Sequence, residues 1–108
     1  MKVQLPKVIA KYFAADQADA NAVAECFAED AIVVDENHTY TGQEAIKRWK
    51  AGTTARYKYS SKPIASKEQG EKTVVTSRLT GDFPGSPVDL RYTFTLDGNR
   101  IAALEITS

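Results

Sequence analysis

The sequence predicts an α+β domain in which helices gather on one face of an antiparallel sheet. Three observations predict it. Apolar residues recur at helical spacing through the first half, the second half changes to alternating runs divided by glycine-bearing turns, and no repeat, low-complexity tract or linker interrupts the 108 residues. Helices followed by consecutive strands bury their apolar faces against each other as two layers. A chain of this length supports one core without disulfide or metal staples, so residues 1–108 are expected to form a single domain.

Leu5, Val8, Ile9, Tyr12 and Phe13 share one helical stripe. Pro6 stands in the first turn, where its missing N–H costs little, and the polar pair Asp16-Gln17 is expected to break the helix. Asp19 is placed to cap a second helix over residues 20–28, with Val23, Ala24 and Phe27 facing inward. Residues 31–34 are rich in β-branched side chains and read as a short strand leading into Asp35-Glu36-Asn37-His38. Thr41-Gly42-Gln43-Glu44 fits a capping box, which starts a third helix carrying Ala45, Ile46 and Trp49 inward and stopping near Gly52.

Strands are expected over residues 57–66, 72–82, 88–96 and 100–107. Gln69-Gly70 and Asp97-Gly98 supply hairpin turns, and Pro84-Gly85-Ser86-Pro87 a stiffer connection. Leu90, Tyr92, Phe94 and Leu96 alternate with Arg91, Thr93 and Thr95, so the first set faces the helices. The second face carries Thr and Arg in place of long charged runs, and suits packing against another copy as a homodimer.

Charge and cysteine usage narrow the function. Lys and Arg total 14 and Asp and Glu total 14, for a net charge of zero and no basic stripe, which argues against a nucleic-acid partner. Tyr57 and Tyr59 flank Lys58 in the manner of a base-stacking strand, but without a basic field they read as strand aromatics, Tyr57 among those expected to touch a ligand. Cys26 is alone, which precludes an intrachain disulfide and a thiolate metal cage. No apolar run approaches the roughly 20 residues of a membrane span, and the N-terminus lacks a signal peptide's apolar core, so a cytoplasmic domain without a membrane partner is expected.

The candidate chemistry centres on Asp35, which directly follows an apolar strand. A carboxylate placed there and facing a cavity is partly desolvated and suits a general base; a strand-end turn is the competing role. His38 could act as its acid or base partner, or stand exposed in the loop. With one histidine and no second ligand at a useful spacing, no metal site is expected. Tyr12 and Trp49 lie on apolar stripes, as core or as cavity wall. Arg78 interrupts a strand on the side of Val74 and Thr76, and Glu105 shares parity with Ile101 and Ala103; either could reach into the cavity as a ligand contact.

The order of elements, with Lys11-Tyr12-Phe13-Ala14-Ala15, Phe27-Ala28-Glu29-Asp30-Ala31 leading to Asp35, Thr41-Gly42-Gln43-Glu44-Ala45-Ile46 with Trp49, and Leu96-Asp97-Gly98-Asn99-Arg100-Ile101, resembles the nuclear transport factor 2-like superfamily, in particular its SnoaL-like and ketosteroid-isomerase-like members. The resemblance implies a cone-shaped curved sheet wrapped around the helices, with a pocket at its open end. It also implies a proton-shuttling base at Asp35, an oxyanion-holding tyrosine at Tyr12, and a second acid on a later strand. The aromatic alternation puts Leu90, with Tyr92 beside it, where that acid would stand, and Asp89 on the other side of the strand. Two functions stay open: a cofactor-independent isomerase or cyclase acting by proton transfer next to a carbonyl on a small apolar ligand, or a non-catalytic ligand-binding or dimerisation module.

Overall fold

The computed structural model describes residues 5–16, 19–56 and 58–107. Among them are helices α1 (Lys7–Asp16), α2 (Ala20–Glu25) and α3 (Gln43–Arg56), and strands β1 (Phe27–Asp35), β2 (His38–Thr41), β3 (Tyr59–Gln69), β4 (Lys72–Gly81), β5 (Val88–Asp97) and β6 (Arg100–Thr107). The strands form one curved, unclosed sheet in the order β2-β1-β6-β5-β4-β3. Neighbours pair antiparallel except β1 with β6, which run parallel, so the sheet is mixed where a purely antiparallel one was expected. Register shifts between Pro63 and Ala65 in β3 and between Thr95 and Leu96 in β5 are bulge-like irregularities of the kind that bends a sheet.

The α1 stripe meets the inner face of the sheet. Tyr12 and Phe94 are fully buried, with ring centres 5.5 Å apart in edge-on contact, and Tyr12 also meets Phe13 at 5.2 Å and Phe27 at 6.0 Å. Edge-on aromatic packing adds about 0.5–1.5 kcal/mol per pair beyond the area buried. Val75, Ile101 and Leu104 from the sheet and Val23 and Ile46 from the other helices complete this core.

Several boundaries differ from the sequence-based expectation. Helix α2 stops at Glu25, three residues early, because Phe27 joins the sheet opposite Ile101 and the Cys26 carbonyl accepts from the Ile101 N–H at 2.9 Å. Strand β1 turns back into β2, so His38 lies in a hairpin strand where a loop was expected. Glu36 and Asn37 make that turn with φ of 52° and 66°, both left-handed as a two-residue primed hairpin turn requires. Thr41 closes β2 opposite Ile32, and the first bond of α3 runs from the Ile46 N–H to the Gly42 carbonyl, so Gly42 takes the capping place assigned to Thr41. Helix α3 continues past Gly52 to Arg56. A helical glycine costs about 1 kcal/mol relative to alanine, which the burial of Ile46, Trp49 and Lys50 on the same face offsets.

Candidate active site

A cavity of about 710 Å³ opens between α1, α3 and the inner face of the sheet. Alternation along the strands aims Leu79 of β4, Leu90 and Tyr92 of β5 and Ile106 of β6 into it, and the β4–β5 connection adds Phe83, Pro84 and Gly85. Tyr40 and Trp49 line the other side, with ring centres 6.1 Å apart. This is the usual make-up of a small-molecule pocket, a mostly apolar wall with a few polar groups.

Asp35 lines the cavity, half-buried at the end of β1 on the face of buried Val33 and Ala31. The Trp49 Nε1–H donates to its Oδ2 at 2.9 Å, so the tryptophan orients the carboxylate as well as walling the pocket. Tyr12 reaches the cavity from α1. Its hydroxyl is buried and has no hydrogen-bond partner among the described residues. Burial, reinforced by the charge of Asp16, holds that hydroxyl well above the ordinary tyrosine range.

A second polar group stands beside these, and sequence reasoning missed it. Lys50 is buried next to Trp49, forms an ion pair with Asp16 of α1, and donates to the Tyr59 hydroxyl. The Tyr59 hydroxyl in turn donates to Asp16 Oδ1 at 3.1 Å. The lysine ammonium lies 5.3 Å from the Trp49 ring centre and 5.2 Å from that of Tyr59, which gives it cation–π contacts in addition to its ion pair. Burial first, and then the Asp16 charge, raises both the Tyr59 and the Tyr92 hydroxyls, although a hydrogen bond with Ser61 acts against the shift at Tyr92. Gly81 faces Tyr59 across the β3–β4 pair, and a Cβ there would sit 2.8 Å from the Tyr59 Cα, so the glycine permits the close path that brings the tyrosine in. The signal was present in the pattern: Ile9, Tyr12, Phe13 and Asp16, and likewise Ile46, Trp49, Lys50 and Thr53, each follow the i, i+3, i+4, i+7 spacing of one helix face.

The structure therefore brings Asp35, Tyr12, Trp49, Leu90 and Tyr92 to one cavity and leaves His38, Arg78 and Glu105 outside it. His38 is exposed on β2, opposite Asp35 in the hairpin, and does not line the cavity. Arg78 lies on the outer face with Val74 and Thr76, because Val75, Ser77 and Leu79 occupy the inner parity of β4; its guanidinium pairs with Asp89 at 2.9 and 3.2 Å. Glu105 is exposed on the outer face as well. The register shift between β5 and β6 leaves Ala102 as an extra residue in β6, so Ile101 points inward while Glu105, which shared its parity in a regular strand, points outward. Tyr57 lies outside the described residues. Among the described residues no His, Cys, Asp or Glu side chains group as a metal cage, and no helix is long and apolar enough to cross a membrane.

Comparison with known proteins fits this architecture. A candidate polyketide cyclase from Sinorhizobium meliloti is 42% identical, with a TM-score of 0.90 over 95% of both chains. A protein of ketosteroid-isomerase-like fold from Catenulispora acidiphila, solved in complex with trimethylamine, is 23% identical with a TM-score of 0.85, over 97% of this chain and 87% of its own. TerC, co-crystallised with polyporic acid, shares the fold at 18% identity and a TM-score of 0.77, over 93% of this chain and 87% of its own. No functionally curated protein matches the sequence. The SnoaL-like domain family matches residues 9–104, almost the whole cone including both walls of the cavity, and the chain belongs to that family.

Proposed function

We propose that this domain is an enzyme of isomerase or cyclase type that moves a proton next to a carbonyl, using its own side chains and no cofactor. The observation that carries the reading is the meeting, in one mostly apolar cavity, of a carboxylate oriented by Trp49 and a buried tyrosine hydroxyl without a partner among the described residues. Asp35 takes the proton from the carbon beside the carbonyl, the C–H electron pair becomes a C=C bond, and the carbonyl π pair moves to oxygen as an enolate. The Tyr12 O–H donates to that oxygen as charge develops. With a β,γ-unsaturated ketone the enolate is a dienolate, and Asp35 returns the proton to its γ-carbon as the C=C bond shifts into conjugation, giving an isomer; with a second carbonyl Asp35 returns it to the alkoxide left when the enolate carbon closes a ring. Either balance closes without an oxidant or reductant. The candidate cyclase from Sinorhizobium meliloti, at 42% identity, supports a polycarbonyl substrate.

A second reading, a non-catalytic ligand-binding module, draws on Leu90, whose apolar side chain lines the cavity where the isomerases' second acid is expected. Solvent-deuterium exchange into a panel of cyclic ketones and 1,3-diones, followed by NMR, separates the two. Wild type is expected to accelerate exchange and Asp35→Asn to lose at least about a hundredfold of that acceleration. Binding without exchange across the panel would establish the module instead. The same reading places a homodimer interface on the outer sheet face, where Ile32 is 41% exposed.

A further inference from the structure

Exposure separates the mouth of the cavity from its floor. Tyr12, Trp49 and Tyr92 line it and are buried, whereas Glu36, Arg48, Gly52, Pro84 and Gly85 line it and are exposed, so the second set forms the mouth. Gly52 is the member that the fold does not account for. The chain has six glycines. Gly42, Gly70, Gly85 and Gly98 take positive φ, and a Cβ on Gly81 would lie 2.3 Å from the Lys58 carbonyl oxygen. Gly52 has neither reason: its φ is not positive, α3 runs on to Arg56, and a Cβ there would meet no described atom within 4 Å. Alanine would suit α3 itself better, because glycine's backbone freedom disfavours it inside a helix. At about 3.6 residues per turn Gly52 falls between Arg48 and Trp49 around α3. Both of those residues line the cavity, so the missing side chain leaves a gap in the mouth.

We infer that this gap is a notch through which an apolar tail of the ligand leaves the cavity, so that Gly52 selects carbonyl compounds with a hydrocarbon chain remote from the carbonyl. Two features decide the chemistry. The N–H and C=O of a helix-interior residue are taken up in the helix's own hydrogen bonds, so the notch offers van der Waals contact and no polar partner. It is also one side chain wide, which suits a chain and not a ring system. Phe83, Pro84 and Val88 add apolar surface to the same cavity. The Cβ of Arg48, one turn earlier, tilts toward the helix N-terminus as every helical Cβ does, away from the notch. The carbonyl end is left to Asp35 and Tyr12, so the inference deepens the proton-transfer reading and rests on it for the carbonyl alone.

The test is isothermal titration calorimetry with 4-methylcyclohexanone and 4-pentylcyclohexanone, which share the carbonyl ring and differ only in the length of the tail. Wild type is expected to bind the pentyl ketone at least about tenfold more tightly, because each methylene removed from water adds to binding. Gly52→Leu fills the notch and is expected to bring the two ketones within about threefold, with the methyl ketone unchanged within about twofold. Gly52→Ala narrows the notch without filling it. It is expected to raise the urea midpoint, as a better helix former, and to lose at least about twofold of the preference. The inference is overturned by wild type that binds neither ketone or shows no preference, by a preference that survives in Gly52→Leu, or by equal weakening of both ketones in that variant. A lower urea midpoint in Gly52→Ala also overturns it, by showing that the fold itself requires the glycine. Should Gly52→Leu fail to fold, an unchanged preference in Gly52→Ala decides against the notch. Because no turnover is read, loss of deuterium exchange with the tail preference intact rejects the proton-transfer reading alone, and the converse rejects the notch alone.

Discussion

Two ion pairs divide this molecule. Arg78 and Asp89 face each other across β4 and β5 on the outer side of the sheet, with side chains 53% and 43% exposed. Asp16 and Lys50 meet between α1 and α3 at the cavity, with side chains almost wholly buried. The chemistry is nearly the same, but the surroundings decide what each pair can do. Water screens the outer pair, and such pairs add little to stability. The inner pair has left water behind, so each charge depends on the other.

The largest effect is therefore expected at the inner pair. Lys50→Ala leaves the Asp16 carboxylate buried without its cation and should cost about 3–5 kcal/mol, whereas Asp16→Asn combined with Lys50→Met should recover most of that loss. Urea denaturation of the three proteins checks this. A Lys50→Ala protein as stable as wild type would mean that the pair is open to water, and the contrast between the two sites would collapse.

The next effect belongs to the tyrosines around that pair. Tyr12, Tyr59 and Tyr92 all have hydroxyls raised by burial, with the Asp16 charge as the next cause in each. The sign follows from linkage. A group raised in the folded state keeps its proton there while the unfolded chain releases its own, so the stabilising contribution is whole below the unfolded value of about 10 and is lost as pH rises beyond it. For the fully buried Tyr12 and Tyr92 each withheld proton costs up to about 1.4 kcal/mol per pH unit above that value, and half-buried Tyr59 adds less. Phenolate absorbance during alkaline titration should show these rings ionising only with unfolding. Ionisation of all five tyrosines before unfolding would place the rings in water.

The same contrast explains what the sequence disclosed. The fold was legible because its signals are periodic: the Tyr12 stripe, the alternation of Leu90, Tyr92 and Phe94, and the glycine turns all report faces. Asp35 was legible because it directly follows an apolar strand. Arg78 drew attention as a charge inside a strand, but parity with Val74 and Thr76 identifies a face without saying whether that face is inner or outer. Asp16 and Lys50 were harder to see. Each stands at the margin of an apolar stripe, where a charged side chain ordinarily marks the edge of a solvated face, and only the approach of α1 to α3 turns the two into a buried pair. Glu105 failed for a different reason: an extra residue, Ala102, in its own strand changes parity between Ile101 and Glu105, and no residue pattern announces it. Likewise Glu36-Asn37 lacks the Asn-Gly signature of a two-residue turn, so the β1–β2 hairpin was hidden.

The smallest expected effect, at the outer pair, also tests the proposed dimer. The hydrogen bond from Arg78 holds the Asp89 carboxyl below its usual range. A carboxylate lowered in the folded state contributes stability that is present above its unfolded value and lost as pH falls through the folded one, so the contribution disappears on the acid side of the ordinary carboxylate range. On a face open to water, Arg78→Ala should leave denaturation at pH 7 and physiological salt unchanged within error, with any residual loss confined to low ionic strength and absent in acid. In a dimer closed over this face the pair is shielded, and the same substitution should produce a loss that salt does not relieve and that weakens on dilution. Denaturation at two salt and two protein concentrations distinguishes these outcomes. A salt-insensitive, concentration-dependent loss would move Arg78 and Asp89 from the solvated class into the class of Asp16 and Lys50, with a second copy of the chain supplying the burial that the fold supplies to the inner pair.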